Sequence, residues 1–183
     1  VGLSALLPRS TLGGSRAVPL HFAPAPSPTA RSWPEHPPQR EWEAGLTALS
    51  WLRQTLDDLG QTPRRVLAVA DGSYSVAPLL RALPAGVSLL ARTTRTRALY
   101  ALPDAPVPGQ RGRHRRYGER GPTPEQLLHA RSGWRTVPTW VRGRILHLRV
   151  HTSGPWLVKP APGQPVFLLV VGGIERARLG RRG

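Results

Sequence analysis

Six apolar residues, Trp42, Leu46, Leu49, Leu52, Leu56 and Leu59, recur at helical period and form one continuous stripe. Glu41 and Glu43 precede most of the stripe, where a helix dipole favours negative charge, and Gly60 stands where a C-cap belongs. The pattern predicts a helix over 38–59 with the stripe facing a core. The texture then changes to a short unbroken apolar run, Val66-Leu67-Ala68-Val69-Ala70, bounded by turn residues. That run predicts a strand at 65–70, buried on both faces. A helix over 75–83 and a second buried strand over 86–91 follow, with Ser73 and Ser75 expected as helix caps. Strand, helix and strand joined by short connections imply parallel neighbours and a right-handed crossover.

The flanks are less regular. Residues 1–16 show no clear period. Arg16 to Phe22 predicts a strand whose internal Pro19 marks an edge or a bulge. Residues 23–38 are rich in proline and read as an extended linker or surface loop. Residues 103–124 are rich in Pro, Gly and Arg and predict a solvated basic loop. Four short β-type runs come next: Trp134 to Val141, Ile145 to Val150, Trp156 to Lys159 and Val166 to Val171. Their close spacing, broken by Gly and Pro, predicts an antiparallel meander. The expected division is 1–98, an α/β unit, and 99–183, a basic loop with a β-rich unit.

Charge changes the picture. The 183 residues carry 26 basic against 10 acidic side chains, a net charge of +16. A surface this positive repels itself unless a polyanion shares it, and nucleic acid is the usual polyanion. Lys159 is the one lysine, and every other basic residue is arginine, whose planar fork suits phosphate and guanine. A GC-rich genome would also favour arginine codons, but that does not explain the excess of positive charge. With no cysteine, disulfides and thiolate zinc sites are excluded. No apolar run is long enough to span a bilayer and the first 30 residues hold no signal-peptide core, so a prokaryotic cytoplasm is expected. The absence of methionine and the basic end from Arg176 to Gly183 predict a piece of a longer frame.

For chemistry, Asp71 is the acid placed at the end of an expected buried strand, where open α/β sheets carry their sites. An aspartate before glycine is also a common turn residue. His147 and His151 have i,i+4 spacing, but on a strand that spacing does not bring two ligands to one face. Ser73 and Ser75 lack a histidine to activate them.

The segments Asp71-Gly72-Ser73-Tyr74, Leu89-Leu90-Ala91-Arg92, Arg97-Ala98-Leu99-Tyr100 and Gly112 to Arg120 together carry a resemblance. The stretch from Val66 to Arg120 strongly resembles DDE-type transposases of bacterial insertion sequences. The resemblance implies an RNase H-like mixed sheet with helices, incomplete here, followed by an antiparallel β insertion. It implies two-metal phosphodiester chemistry with Mg²⁺ or Mn²⁺, DNA as partner (element ends and target), and self-association of the whole transposase on DNA. Asp71 matches the family's second aspartate and so is the expected catalytic and metal-binding residue. The first aspartate has no counterpart, since nothing before Glu35 is acidic, and Glu175 lacks the helical context of the third acid. The chain alone is therefore expected to be inactive and marginally stable. The strand carrying the first aspartate would be the shared neighbour of the strands at 17–22 and 65–70.

DNA contact is expected from two arginine groups. Arg92, Arg95 and Arg97 leave the second buried strand, on the side of Asp71. Arg111, Arg113, Arg115, Arg116 and Arg120 follow, with Tyr117 among them, as interleaved cations and an aromatic that can stack on bases. The alternative from a different class is a non-catalytic basic DNA-binding or architectural module.

Overall fold

The helical stripe forms α1, Glu41–Asp58, in a computed structural model that describes residues 1–7, 16–26, 38–105, 112–141 and 144–174. The line buried deepest is not the leucine stripe but its small neighbours, Ala44, Gly45 and Ala48, with Leu49. Small residues let other backbone approach closely, whereas Leu59 at the stripe's end is exposed. Glu43 Oε2 accepts the Arg40 N–H at 2.7 Å and holds one end of the helix. At the other end Gly60 takes φ +69, and the N–H groups of Gly60 and Gln61 return to the carbonyls of Asp57 and Leu56.

Contacts divide the chain into two units, Val1–Thr93 and Thr94–Gly183. In the first, β1, Gly2–Leu7, pairs antiparallel with β2, Arg16–Phe22. The register shifts between Leu3 and Ser4, whose partners are His21 and Pro19, so the irregularity expected at the proline is there. β1 lies in sequence without visible period. Then β3, Val66–Ala70, pairs in parallel with β4, Val87–Ala91, around α2, Ala77–Ala82.

The β1–β2 and β3–β4 pairs are separate two-stranded sheets. One expectation for this unit needs correction: β3 is not buried on both faces, since Val66, Ala68 and Ala70 are half-buried while Leu67 and Val69 stand 64 % and 73 % exposed. Their register partners Ser88 and Leu90 are exposed on the same face. The run was apolar throughout, so the sequence held no sign that one face would lack a covering layer among the described residues.

The second unit holds α3, Pro124–Leu128, and a three-stranded antiparallel sheet of β5, Trp134–Val141, β6, Arg144–Val158, and β7, Ala161–Ile174. The meander is there, but two expected strands, 145–150 and 156–159, merge into β6. Gly154-Pro155, read as a break, is absorbed as a register irregularity between Ser153 and Trp156. The stretch before α3 is also less free than a solvated loop. Bridges tie Tyr100 to Arg120 and to Leu157, and Gly118 N–H donates to the Ala101 carbonyl at 2.9 Å. Thr123 caps α3, accepting from Gln126 N–H while Gln126 Oε1 accepts from Thr123 N–H.

Candidate functional site

Asp71 follows the last residue of β3 directly, and its side chain is wholly exposed. Its Oδ1 accepts the Ser73 N–H at 2.9 Å and the Ser73 hydroxyl at 2.7 Å. It thereby caps the start of the 3₁₀ turn Gly72–Tyr74, while Ser75 closes its end through its N–H to the Gly72 carbonyl, and Val76, not a serine, stands at the N-cap of α2. The two bonds from Ser73, the hydroxyl's first, hold the Asp71 carboxyl below its ordinary value, and the Arg92 guanidinium adds to the effect. Desolvation opposes them, and outweighs what Arg92 adds. Asp71 is thus an ionised, oriented carboxylate at neutral pH.

Two neighbours fix this turn, the end of β4 and the face of α1. Ala70 and Ala91 are register partners, so Arg92 leaves β4 beside Asp71. A Cβ added to Gly72 would lie 3.7 Å from the Arg92 carbonyl oxygen, which shows how closely the two strand ends run. On the helix side, a Cβ at Gly45 would meet Tyr74 Cε1 at 2.5 Å, so α1 presents a notch that receives the tyrosine ring. Burial there, with the charges of Glu41 and Asp71, pushes the Tyr74 phenol above its ordinary pKa.

The strand's entry is pinned too. The buried Arg53 of α1 spans Asp57, with Nε to Oδ2 at 3.2 Å and Nη2 to Oδ1 at 2.8 Å. It also donates to the carbonyls of Gln61, at 3.1 Å, and Arg64, at 2.7 Å. Sequence reasoning passed over Arg53 as one basic residue among many. Its signal was the i,i+4 spacing from Asp57.

In the second unit, Arg113, Arg115, Arg116 and Arg120 are exposed and Tyr117 is half-buried. Tyr117 lies 5.6 Å from Tyr100, ring centre to ring centre. The Lys159 ammonium sits over both rings, 4.3 Å from Tyr100 and 5.3 Å from Tyr117. Gly121 leaves room for the Trp156 ring, which no Cβ could share. Sequence reasoning missed Lys159 because its ring partners lie 59 and 42 residues away. Arg95 and Arg97 fall within this unit. Arg95 pairs loosely with Glu125 at 3.6 Å, and its backbone carbonyl accepts the Glu125 N–H. Arg111 and Glu175 lie outside the described residues.

Among the described residues no three His, Asp or Glu side chains come together as a metal-holding group, and His147 and His151 are no exception. No helix among them is long and apolar enough to cross a membrane. Residues 12–147, more than half of the chain, match the family model described as DDE superfamily endonuclease. No curated protein and no solved structure matches the chain.

Proposed function

We propose that this chain, which belongs to the DDE superfamily endonucleases, is the central part of a transposase catalytic domain. Its first unit is then the middle of an RNase H-like core, and its second a basic β insertion that helps to hold DNA. The reaction of the whole protein is cleavage at the ends of an insertion sequence, followed by attack of the freed 3′ hydroxyl on target DNA. The observation that carries this reading is Asp71. It is an exposed, ionised carboxylate at the carboxyl end of a parallel strand, within the family-matched segment and beside the cation of Arg92.

Enzymes of this superfamily generally use divalent metals, and two-cation phosphodiester chemistry needs several converging carboxylates. Asp71 fits as one donor. By itself it does not fit a cation pair, because no three metal-ligating side chains come together among the described residues. The chain's own contribution is therefore to orient that carboxylate through Ser73 and to hold the DNA backbone through its arginines. The 183-residue chain is expected to be inert toward DNA with Mg²⁺ or Mn²⁺.

That lack of a three-ligand group among the described residues favours a second reading, a DNA-binding module without catalysis. One pair of proteins separates the two: the longer frame containing this chain, and its Asp71→Asn variant. Metal-dependent cleavage that is lost in the variant while DNA binding persists supports the first reading. Cleavage that survives Asp71→Asn refutes the catalytic assignment of Asp71, and cleavage never seen in the longer protein leaves the second reading. DNA contact itself is read from salt dependence. Replacing Arg113, Arg115 and Arg116 with alanine should lower both affinity and slope between about 50 and 200 mM salt. An unchanged slope would clear this loop.

A further inference from the structure

A lysine head on a four-carbon stem ordinarily samples many rotamers, but tyrosine faces attract an ammonium and restrict it. Lys159 has two such faces, Tyr100 and Tyr117, whose rings are tilted 56° to each other. They hold the ammonium at the turn leaving β6. Among the described residues the ion pairs are Arg53 with Asp57 and Arg95 with Glu125, and neither reaches Lys159. Its surroundings are positive. The bridge between Tyr100 and Arg120 sets those two side chains on one side of their ladder, and Arg113, Arg115 and Arg116 run up to Tyr117 exposed. Glu119 is the acid of this stretch, exposed between Gly118 and Arg120, and it makes no ion pair with Lys159. A cation fixed on two rings without an ion-pair partner, in a stretch where arginines outnumber acids, is a site that an external anion can complete.

We propose that Lys159, positioned by Tyr100 and Tyr117, contacts a backbone phosphate of DNA and joins the end of β6 to the arginine loop as one phosphate-binding surface. This rests on the DNA contact proposed above and adds a residue to it. Tyr100 and Tyr117 act as positioning residues. An ammonium already held in place loses less freedom on meeting a phosphate than a mobile one, so the rings raise affinity through Lys159.

The test is equilibrium binding of the full 183-residue chain to a blunt duplex of about 20 base pairs over about 50 to 200 mM salt. Lys159→Gln should lower the slope of log affinity against log salt by about 0.9 and weaken binding several-fold at the low-salt end. Tyr117→Phe keeps the ring face and should bind as the unaltered chain does. Tyr117→Leu should weaken binding when Lys159 is present and have no effect on the Lys159→Gln background. Lys159 is exposed, so circular dichroism and the unfolding midpoint should not change with Lys159→Gln. An unchanged slope in Lys159→Gln overturns the proposal, as does Tyr117→Leu weakening both backgrounds equally. A loss in Tyr117→Phe would assign a direct contact to the phenol and also overturn it. If the unaltered chain fails to bind duplex at all, the DNA reading falls and takes this one with it. If it binds with a steep slope that Lys159→Gln leaves untouched, this proposal alone fails.

Discussion

Asp71 and Arg92 stand side by side, each one residue beyond its strand, because Ala70 and Ala91 are partners in the parallel β3–β4 register. The arginine's charge is nevertheless the smaller influence on the carboxyl. The Ser73 hydroxyl and N–H act at hydrogen-bond distance, whereas Arg92 acts through solvent.

The Asp71 carboxyl should therefore titrate below the ordinary aspartate value of about 3.9. Ser73→Ala should raise its midpoint more than Arg92→Ala does, as read from the carboxyl carbon shift in NMR. A depressed folded-state pKa contributes stability above the unfolded value, and that contribution is lost as pH falls through the folded value. The dependence should thus appear only in the acid limb below about pH 4. A midpoint unmoved by Ser73→Ala would contradict the capping geometry.

Gly45→Ala sets two effects against each other. Helix propensity favours alanine over glycine by about 1 kcal/mol. The new Cβ, however, would enter the space of the Tyr74 ring, and overpacking costs about 1 to 3 kcal/mol. Destabilisation should win in urea unfolding, and Tyr74→Ala in the same chain should reverse its sign. A stabilised single variant would mean that the ring yields freely.

Arg53→Ala should lower stability by about 2 kcal/mol, since it strips donors from two carbonyls and leaves Asp57 without its fork. Arg53→Lys should recover only part of this, because an ammonium cannot reproduce a planar bidentate contact. Equal midpoints for Arg53→Lys and the unaltered chain would show that charge alone matters.

The open face of Leu67, Val69 and Leu90 should bind a hydrophobic dye and promote association of the chain. Leu67→Thr with Val69→Thr keeps strand propensity and removes apolar surface, so dye fluorescence and light scattering should both fall. Scattering that stays high would place the sticky surface elsewhere.

What the sequence disclosed depended on the range of the interaction. α1 was legible because its stripe repeats within one element, and β3 and β4 because a short connection forces parallel pairing. Asp71 was legible from its place after the apolar run. β1 escaped because its pairing with β2, and not a pattern of its own, makes it a strand. The exposure of Leu67 and Val69 escaped for a related reason: hydropathy reports what a residue would gain by burial, not whether a partner covers it. Lys159 escaped because its partners come from a loop far away in sequence.

α1 touches the Asp71 strand at two points. Arg53 grips the Arg64 carbonyl just before β3, and Gly45 receives Tyr74 just after it. Eight residues of helix separate those points, roughly 12 Å at 1.5 Å per residue. The helix thus works as a gauge for the length of β3, whose five extended residues span about 13 Å between their end Cα atoms and make up most of the interval's length. Adding or deleting one residue within Val66–Ala70 would release one grip or the other and turn each later side chain to the opposite face. Asp71 would then point away from Arg92, so the site tolerates changes of residue in β3 far better than changes of length.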